Sequence, residues 1–168
     1  GIDPETGEYR YLTDTTPGEP NSGPAFLGFT ADPTPSIGRG FFQSPFTVSL
    51  SGDADAIFLI SLDGTVPAQN STALYDGPVF IGSTSFLRVM AARPGYLPSR
   101  VVTHTYVFLA QVVRQDNTHP GYPSSWSGRP ADYEMDPEVV GENDLFDGVY
   151  RESIVDDLKD IPTLSITI

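Results

Sequence analysis

The run FTVSL, residues 46–50, decides how this chain folds, because its apolar and hydroxyl side chains alternate strictly. Phe46, Val48 and Leu50 fall on one face of an extended backbone, and the hydroxyl residues between them fall on the other. This pattern is typical of a strand with one buried and one solvated face.

Two longer apolar runs follow it. Residues 56–62 are apolar on both faces except at Ser61, so we expect a central strand and place Phe58, Ile60 and Leu62 inward. Residues 85–93 form a second predicted strand.

Arg88 sets the register of that second strand. Leu87, Val89 and Ala91 alternate with Arg88 and its neighbours on the opposite face, and a slip by one residue would bury the guanidinium group. The three apolar residues are therefore predicted to face the core.

Turn signals separate these strands at regular intervals. Asp63-Gly64, Asp76-Gly77 and Pro94-Gly95 fall between apolar runs, and a last strand is predicted over residues 101–109. Strands spaced by roughly 8–12 residues with turns between them indicate an antiparallel β-sandwich, which we assign to residues 25–110.

The segments on either side of the sandwich differ from it in composition. Residues 1–24 are rich in Gly, Pro, Asp and Thr, which predicts a linker or extended arm. Residues 111–168 carry twelve acidic and four basic residues, and form an acidic extension that we expect to lead into a following domain. A short helix is predicted after Asp136-Pro137 and a longer one near residues 150–160.

Composition excludes several classes of function. The formal net charge is −13, so we expect no nucleic-acid binding, which depends on Lys and Arg neutralising phosphates. The absence of cysteine rules out disulfides and thiolate metal sites. No apolar run approaches the roughly 18 residues of a membrane span, so we expect no membrane insertion. We interpret the chain as part of a larger protein and expect neighbouring domains of the same polypeptide to be its partners.

Several short motifs resemble those of the chitobiase/β-hexosaminidase C-terminal domain family, and they occur in the family's order. They are SPFTVSL at 44–50, ISLDGTVP at 60–67, LYDGPV at 74–79, LRV at 87–89, RPGYLPS at 93–99 and THTY at 103–106. The chain departs from the family pattern at Leu59-Ile60, where two aromatics are usual, and at Val66-Pro67, where the family has Asp-Pro. The resemblance implies an all-β, immunoglobulin/fibronectin-like sandwich without catalytic residues, which accompanies other domains in secreted bacterial proteins.

Shorter resemblances occur in the flanks. Residues 11–21 are similar to the end of a lamin-tail-type domain. Residues 131–137 and 158–166 are similar to the stretch that precedes a CotH-like kinase domain in large secreted proteins. These likenesses imply a secreted or cell-surface location, with any kinase-like catalytic residues beyond Ile168.

Candidate catalytic and metal-binding residues are few. His104 and His119 are the only histidines, and their separation fits no metal-ligand spacing. We therefore expect a structural role for both, no catalytic residue, no metal and no cofactor. Calcium is a weaker alternative at Asp-rich turns, although the chain lacks an EF-hand pattern. The turn carboxylates concerned are Asp53, Asp55, Asp63 and Asp76.

Three aromatics of the extension are the candidate ligand or docking residues. Trp126, Tyr122 and Tyr133 lie in a polar, irregular stretch where a sugar-stacking platform would be expected. The interpretation that we favour is that Trp126 buries its ring and anchors the extension to the sandwich.

Three functions remain open. The leading hypothesis is a non-catalytic accessory or spacer module of a larger secreted or cell-surface bacterial protein. One alternative is a carbohydrate-binding module that uses exposed aromatics, with glycan as the partner. The other is the N-terminal part of a CotH-like kinase region whose active site lies beyond this sequence.

Overall fold

Short strands dominate the described part of the chain, and the helices found there all follow the last long strand. We describe a computed structural model, in which residues 1–67, 73–118, 121–141 and 146–166 are described. The strands within these ranges are β1 (Tyr11–Leu12), β2 (Ala25–Phe26), β3 (Thr34–Pro35), β4 (Gly40–Phe41), β5 (Phe46–Val48), β6 (Leu50–Ser51), β7 (Ile57–Ser61), β8 (Ala73–Leu74), β9 (Val79–Ile81), β10 (Ser85–Ala92), β11 (Val102–Val107), β12 (Ser125–Trp126) and β13 (Arg129–Pro130). The helices are α1 (Leu109–Val112), α2 (Pro137–Val140) and α3 (Val149–Asp160).

One layer of the sandwich is a five-stranded sheet in the order β4-β11-β10-β7-β8. All neighbouring strands in this sheet are antiparallel except β4 and β11, which run parallel. In the register of the central strands, Val89 lies opposite Ile60 on β7 and opposite Val102 on β11.

The second layer is formed by the pairs β3-β6 and β5-β9. Strands β5 and β6 are separated only by Ser49, whose carbonyl accepts a hydrogen bond from the amide of Ser36 at 2.8 Å. The run around residues 46–51 therefore bridges the two pairs and joins them into one layer.

The hydrophobic core lies between these layers. Its fully packed members come from both sheets and from the end of β11, and they are Val48, Ile81, Leu87, Val89, Tyr106 and Phe108. The alternation predicted for β5 and β10 is therefore confirmed, as is the all-β, immunoglobulin/fibronectin-like antiparallel sandwich.

The inward face of β7 was predicted correctly only in part. Phe58 and Ile60 pack against the core, whereas Leu62 is exposed because it lies beyond the end of the strand. Leu59 and Ser61 are buried on the opposite face. When a strand is apolar on both faces, its apolar and polar residues do not alternate, so the sequence does not show which face is buried in the core.

The N-terminal arm folds back on itself and reaches the sandwich through backbone pairing. Strands β1 and β2 are antiparallel, and the ring of Tyr11 meets that of Phe29 edge-on at 5.2 Å. Beyond β2, the amide of Leu97 donates to the carbonyl of Gly28 at 2.8 Å, and the amide of Thr30 donates to the carbonyl of Leu97 at 2.8 Å. These bonds attach the residues after β2, the strand with which β1 of the arm is paired, to the segment that follows the Pro94-Gly95 turn.

Helix α1 was not predicted. The last strand was expected to continue to residue 109, but it ends at Val107 and α1 begins at Leu109. The other two helices confirm the predicted signals. Asp136 precedes α2, and its carboxylate accepts a hydrogen bond from the amide of Glu138 at 2.9 Å. Over the described ranges, no helix has the length and apolar character that crossing a membrane requires.

Candidate functional site

A tight hairpin in the acidic extension presents the tryptophan of the chain. Trp126 on β12 lies opposite Arg129 on β13, and the two residues between them, Ser127 and Gly128, have φ angles of 50° and 80°. Two consecutive positive φ values are the signature of a type I′ turn, which suits a two-residue hairpin loop. We call residues 122–133 the aromatic hairpin.

The indole ring of Trp126 is held by its edge, and its faces are not packed into a core. The indole Nε1 donates to the hydroxyl of Tyr133 at 3.1 Å, and this hydroxyl donates to the carbonyl of Pro123 at 2.8 Å. The residue remains 57% exposed. The interpretation that Trp126 anchors the extension by burying its ring is therefore wrong, because Tyr133 orients the indole from its polar edge.

Tyr122 completes the aromatic group. It is 60% exposed, and its ring meets that of Tyr133 at 5.8 Å with an interplanar angle of 68°. The structure therefore brings together all three candidate residues, with Tyr133 between two exposed rings.

A polar cleft of about 510 Å³ lies beside these rings. Its lining comes equally from the segment between α1 and the hairpin and from the hairpin itself, and the polar and aromatic lining residues are Asp116, Asn117, Thr118, Tyr122, Ser124 and Tyr133. The carboxylate of Asp116 accepts hydrogen bonds from both the amide and the hydroxyl of Thr118, which fixes the backbone of this wall.

Two amide side chains connect the hairpin to the segment that leaves the sandwich. The side chain of Asn117 accepts a hydrogen bond from the amide of Tyr133 at 2.8 Å, and Gln115 Nε2 donates to the carbonyl of Tyr133. Neither Gln115 nor Asn117 was predicted as a site residue. The Ser-Gly pair at 127–128 was the available signal, since it predicts a turn that brings the two flanking segments together.

Helix α1 is in turn fixed to the sandwich through one side chain. The carbonyl oxygen of the Gln111 side chain accepts a hydrogen bond from the amide of Thr84 at 3.0 Å, and its Nε2 donates to the carbonyl of Gly82 at 3.3 Å. A continuous series of contacts therefore runs from the turn after β9 to the aromatic hairpin.

The acidic turns have structural partners. Asp63 accepts hydrogen bonds from the amide and hydroxyl of Thr65, and these bonds hold the pKa of Asp63 below its ordinary value. Asp53 accepts from the amide of Ala31 and lies 3.6 Å from the guanidinium group of Arg93. In the described part of the chain, no three acidic, histidine or cysteine residues form a group that could hold a metal ion.

His104 lies on β11 within 6.1 Å of the ring of Tyr106, while His119 falls outside the described residues. Burial lowers the pKa of His104, opposed by the neighbouring carbonyl of Ile37 and assisted by the charge of Arg39. The side-chain Nδ1 of His104 is buried and has no hydrogen-bond partner among the described residues.

A larger cleft, of about 830 Å³, opens at the end of the sandwich near β7 and β9. Several of its hydroxyl groups are already used within the protein: Ser61 donates to the carbonyl of Thr65 at 2.6 Å, and Thr84 accepts from the amide of Phe108 at 3.0 Å. The cleft therefore offers fewer available polar groups than its size suggests.

Comparison with known families agrees with the resemblance seen in the motifs. Residues 37–103 match the family model described as the Chitobiase/beta-hexosaminidase C-terminal domain. This match supports the family assignment for that segment, which spans less than half of the chain and does not include the aromatic hairpin. A search of curated proteins and of solved structures found no match. Domains of this family are non-catalytic accessory modules.

Proposed function

We propose that this chain is a spacer that sets the distance and orientation between neighbouring domains of a larger secreted or cell-surface bacterial protein. The observation that carries the proposal is that segments on both sides of the sandwich are bonded to it. A spacer needs such joints, because a freely jointed linker would leave its neighbours without a defined orientation.

The N-terminal joint combines backbone and side-chain bonds. The buried Thr30 donates both its amide and its hydroxyl to the carbonyl of Leu97, at 2.8 and 2.9 Å. The amide of Leu27 also donates to the carbonyl of Gly95 at 2.9 Å. Residues 27–30 are therefore bonded into the sandwich along their backbone.

The C-terminal joint uses the two bonds of Gln111 to the turn that contains Gly82 and Thr84. Farther along the chain, the hydroxyl groups of Thr105 and Ser165 are 2.6 Å apart. The extension is thus attached to the sandwich both at its beginning and near its end.

Distance measurements between two spin labels test this proposal directly. The chain has no cysteine, so the exposed positions Ser22 and Thr163 can be changed to cysteine and labelled without competing sites. We expect one narrow distance distribution. Gln111→Ala should broaden it by releasing α1. The control variant Arg114→Ala, which removes an exposed side chain from the same segment, should leave it unchanged. A broad distribution in the parent chain would contradict the spacer role.

The proposed location has its own test, which is the full reading frame of the parent protein. The resemblance of the flanks to segments of large secreted proteins supports this part of the proposal, and we expect a secretion signal ahead of this sequence. The relation to a CotH-like kinase region stays a prediction, which the same reading frame would check.

A further inference from the structure

The aromatic hairpin has a feature that a spacer does not require, namely an exposed indole whose orientation is fixed. The hydrogen bond from Nε1 to Tyr133 restrains the ring of Trp126, although more than half of the residue is in contact with water. Side chains that serve only as packing lose this exposure, because burying an aromatic ring is what makes it stabilising. A ring that is both restrained and exposed is instead prepared for contact with a ligand.

The second relevant feature is the combination of flat apolar rings with a polar wall. Tyr122 exposes a second ring, and the cleft beside it is lined by hydroxyl, amide and carboxylate groups. Asn117 uses its side-chain oxygen to accept from the amide of Tyr133, and the Nδ2 group of the same side chain is a further donor in the lining of the cleft. A pyranose ring has the matching chemistry, since it has an apolar C–H face for stacking and hydroxyl groups along its edge.

We propose that the aromatic hairpin is a binding site for an uncharged oligosaccharide, with Trp126 and Tyr122 as stacking residues and Asn117 and Ser124 as hydroxyl partners. Tyr133 is a positioning residue, because it orients Trp126 and contacts Tyr122. This binding function goes beyond the spacer role and does not depend on it.

The charge of the surrounding segment selects against anionic ligands. Asp116, Asp132 and Glu134 lie in or next to the hairpin, and Arg129 is its one basic residue. With a formal net charge of −13 for the whole chain, a polyanionic glycan would be repelled on approach. An uncharged sugar incurs no such penalty.

The connection to the sandwich makes the site rigid enough to bind. Gln115 and Asn117 hold the backbone of Tyr133, and Gln111 holds α1. Because these groups are fixed before a ligand arrives, binding loses less conformational entropy than it would in a mobile loop. The site also lies outside residues 37–103, so the family match assigns nothing to it.

Trp126 is the sole tryptophan, and its fluorescence therefore reports on this site alone. We would titrate the intact chain with cellohexaose and with chitohexaose, and measure both the emission of Trp126 and the heat of binding. The expected result is a saturable blue shift with at least one of the two sugars, with matching calorimetric affinity. Absence of both signals with both sugars at millimolar concentration would overturn the proposal.

Two further probes test the ligand class. Polygalacturonate, a polyanion, should not bind, and tighter binding of it than of either neutral sugar would overturn the charge argument. A proline-rich peptide represents the other kind of ligand that stacks on aromatic grooves. Saturable binding of that peptide in place of the sugars would show that the site recognises protein and would overturn the proposal.

Variants then locate the site. Tyr122→Ala should weaken sugar binding by about tenfold or more, and the fluorescence signal of Trp126 remains available in this variant. Tyr9→Ala removes the same side chain from an exposed position in the N-terminal arm and should change nothing. Trp126→Phe retains a stacking ring and should bind more tightly in calorimetry than Trp126→Ala. Unchanged affinity in Tyr122→Ala and Trp126→Ala, with the circular dichroism of the parent, would place the sugar elsewhere and refute the proposal.

Discussion

Tyr106 offers the sharpest test of how the sandwich is held together. Its side chain is completely buried, and its hydroxyl donates to the carbonyl of Ile37 at 2.8 Å. Its ring also meets those of Phe42 and Phe46, at centroid distances of 5.6 and 5.3 Å. Tyr106→Phe keeps these ring contacts and removes only the hydrogen bond between β11 and the loop before β4.

The expected loss of stability follows from that single bond. Removing the donor costs about 1–2 kcal/mol of the free energy of unfolding, because the carbonyl of Ile37 loses its partner in a partly buried place. In a chain of this size, each kcal/mol lowers the melting temperature by about 2–4 °C, so we expect a decrease of about 2–8 °C. Tyr11→Phe, at an exposed position, is the matched control and should change the free energy by less than about 0.5 kcal/mol.

Alkaline titration provides a second, independent readout. Burial raises the pKa of Tyr106 to about 12, above the value of 10.0 that the unfolded chain retains. The folded state therefore holds this proton more tightly than the unfolded state does. The resulting stabilisation is complete below pH 10 and is lost as the pH rises towards 12, an effect on the order of 2–3 kcal/mol.

Tyr106→Phe has no hydroxyl to titrate at this position, so this alkaline loss of stability is absent from the variant. Urea denaturation followed by circular dichroism at pH 7 and at several values up to pH 11.5 measures both effects. The stability difference between the parent and Tyr106→Phe should be largest at pH 7 and should close as the pH rises. Equal stability at pH 7, or parallel alkaline slopes for the two proteins, would refute this account of Tyr106.

Three further substitutions test other parts of the sandwich. Leu87→Ala leaves a cavity at a fully buried position and should cost about 2–5 kcal/mol in urea denaturation; a cost below about 1 kcal/mol would contradict the core assignment. Gly64→Ala forces a side chain into a φ of 84° and should cost about 1 kcal/mol, whereas Gly38→Ala, in open space, should be nearly neutral. For His104, the lowered pKa means that the folded state binds fewer protons than the unfolded state does, so its contribution to stability is complete above about pH 6.5 and falls as the pH decreases below that value. His104→Gln should lack this part of the acid dependence. Identical pH profiles of stability for the parent and His104→Gln would contradict this role of His104.

The sandwich could be predicted because its decisive signals are local. In β5 and β10 the polar residues fall at every second position, so the buried face of each strand follows from a few neighbours. The same reasoning misplaced Leu62, since β7 is apolar on both faces and the sequence does not show where the strand ends. Helix α1 was missed because four residues are too few to display a helical period.

The candidate site was predicted in its members but not in its geometry. Trp126, Tyr122 and Tyr133 were selected because they are aromatics in a polar stretch, and the structure places them together. The exposure of Trp126 could not be predicted in the same way. It depends on Tyr133, seven positions later, whose hydroxyl comes within reach only after the Ser127-Gly128 turn has closed.

The parallel pairing of β4 with β11 determines how the sandwich would respond to mechanical tension. The chain enters the pair at Gly40 and leaves it at Val107, so a pull on the two ends of the protein displaces these strands in opposite directions along their length. Their hydrogen bonds, including the one from the amide of Phe42 to the carbonyl of Val107, are then loaded in shear and must break together. Two antiparallel strands pulled from the same end would separate one bond at a time. The sandwich is therefore expected to resist tension best when it is pulled by its two ends.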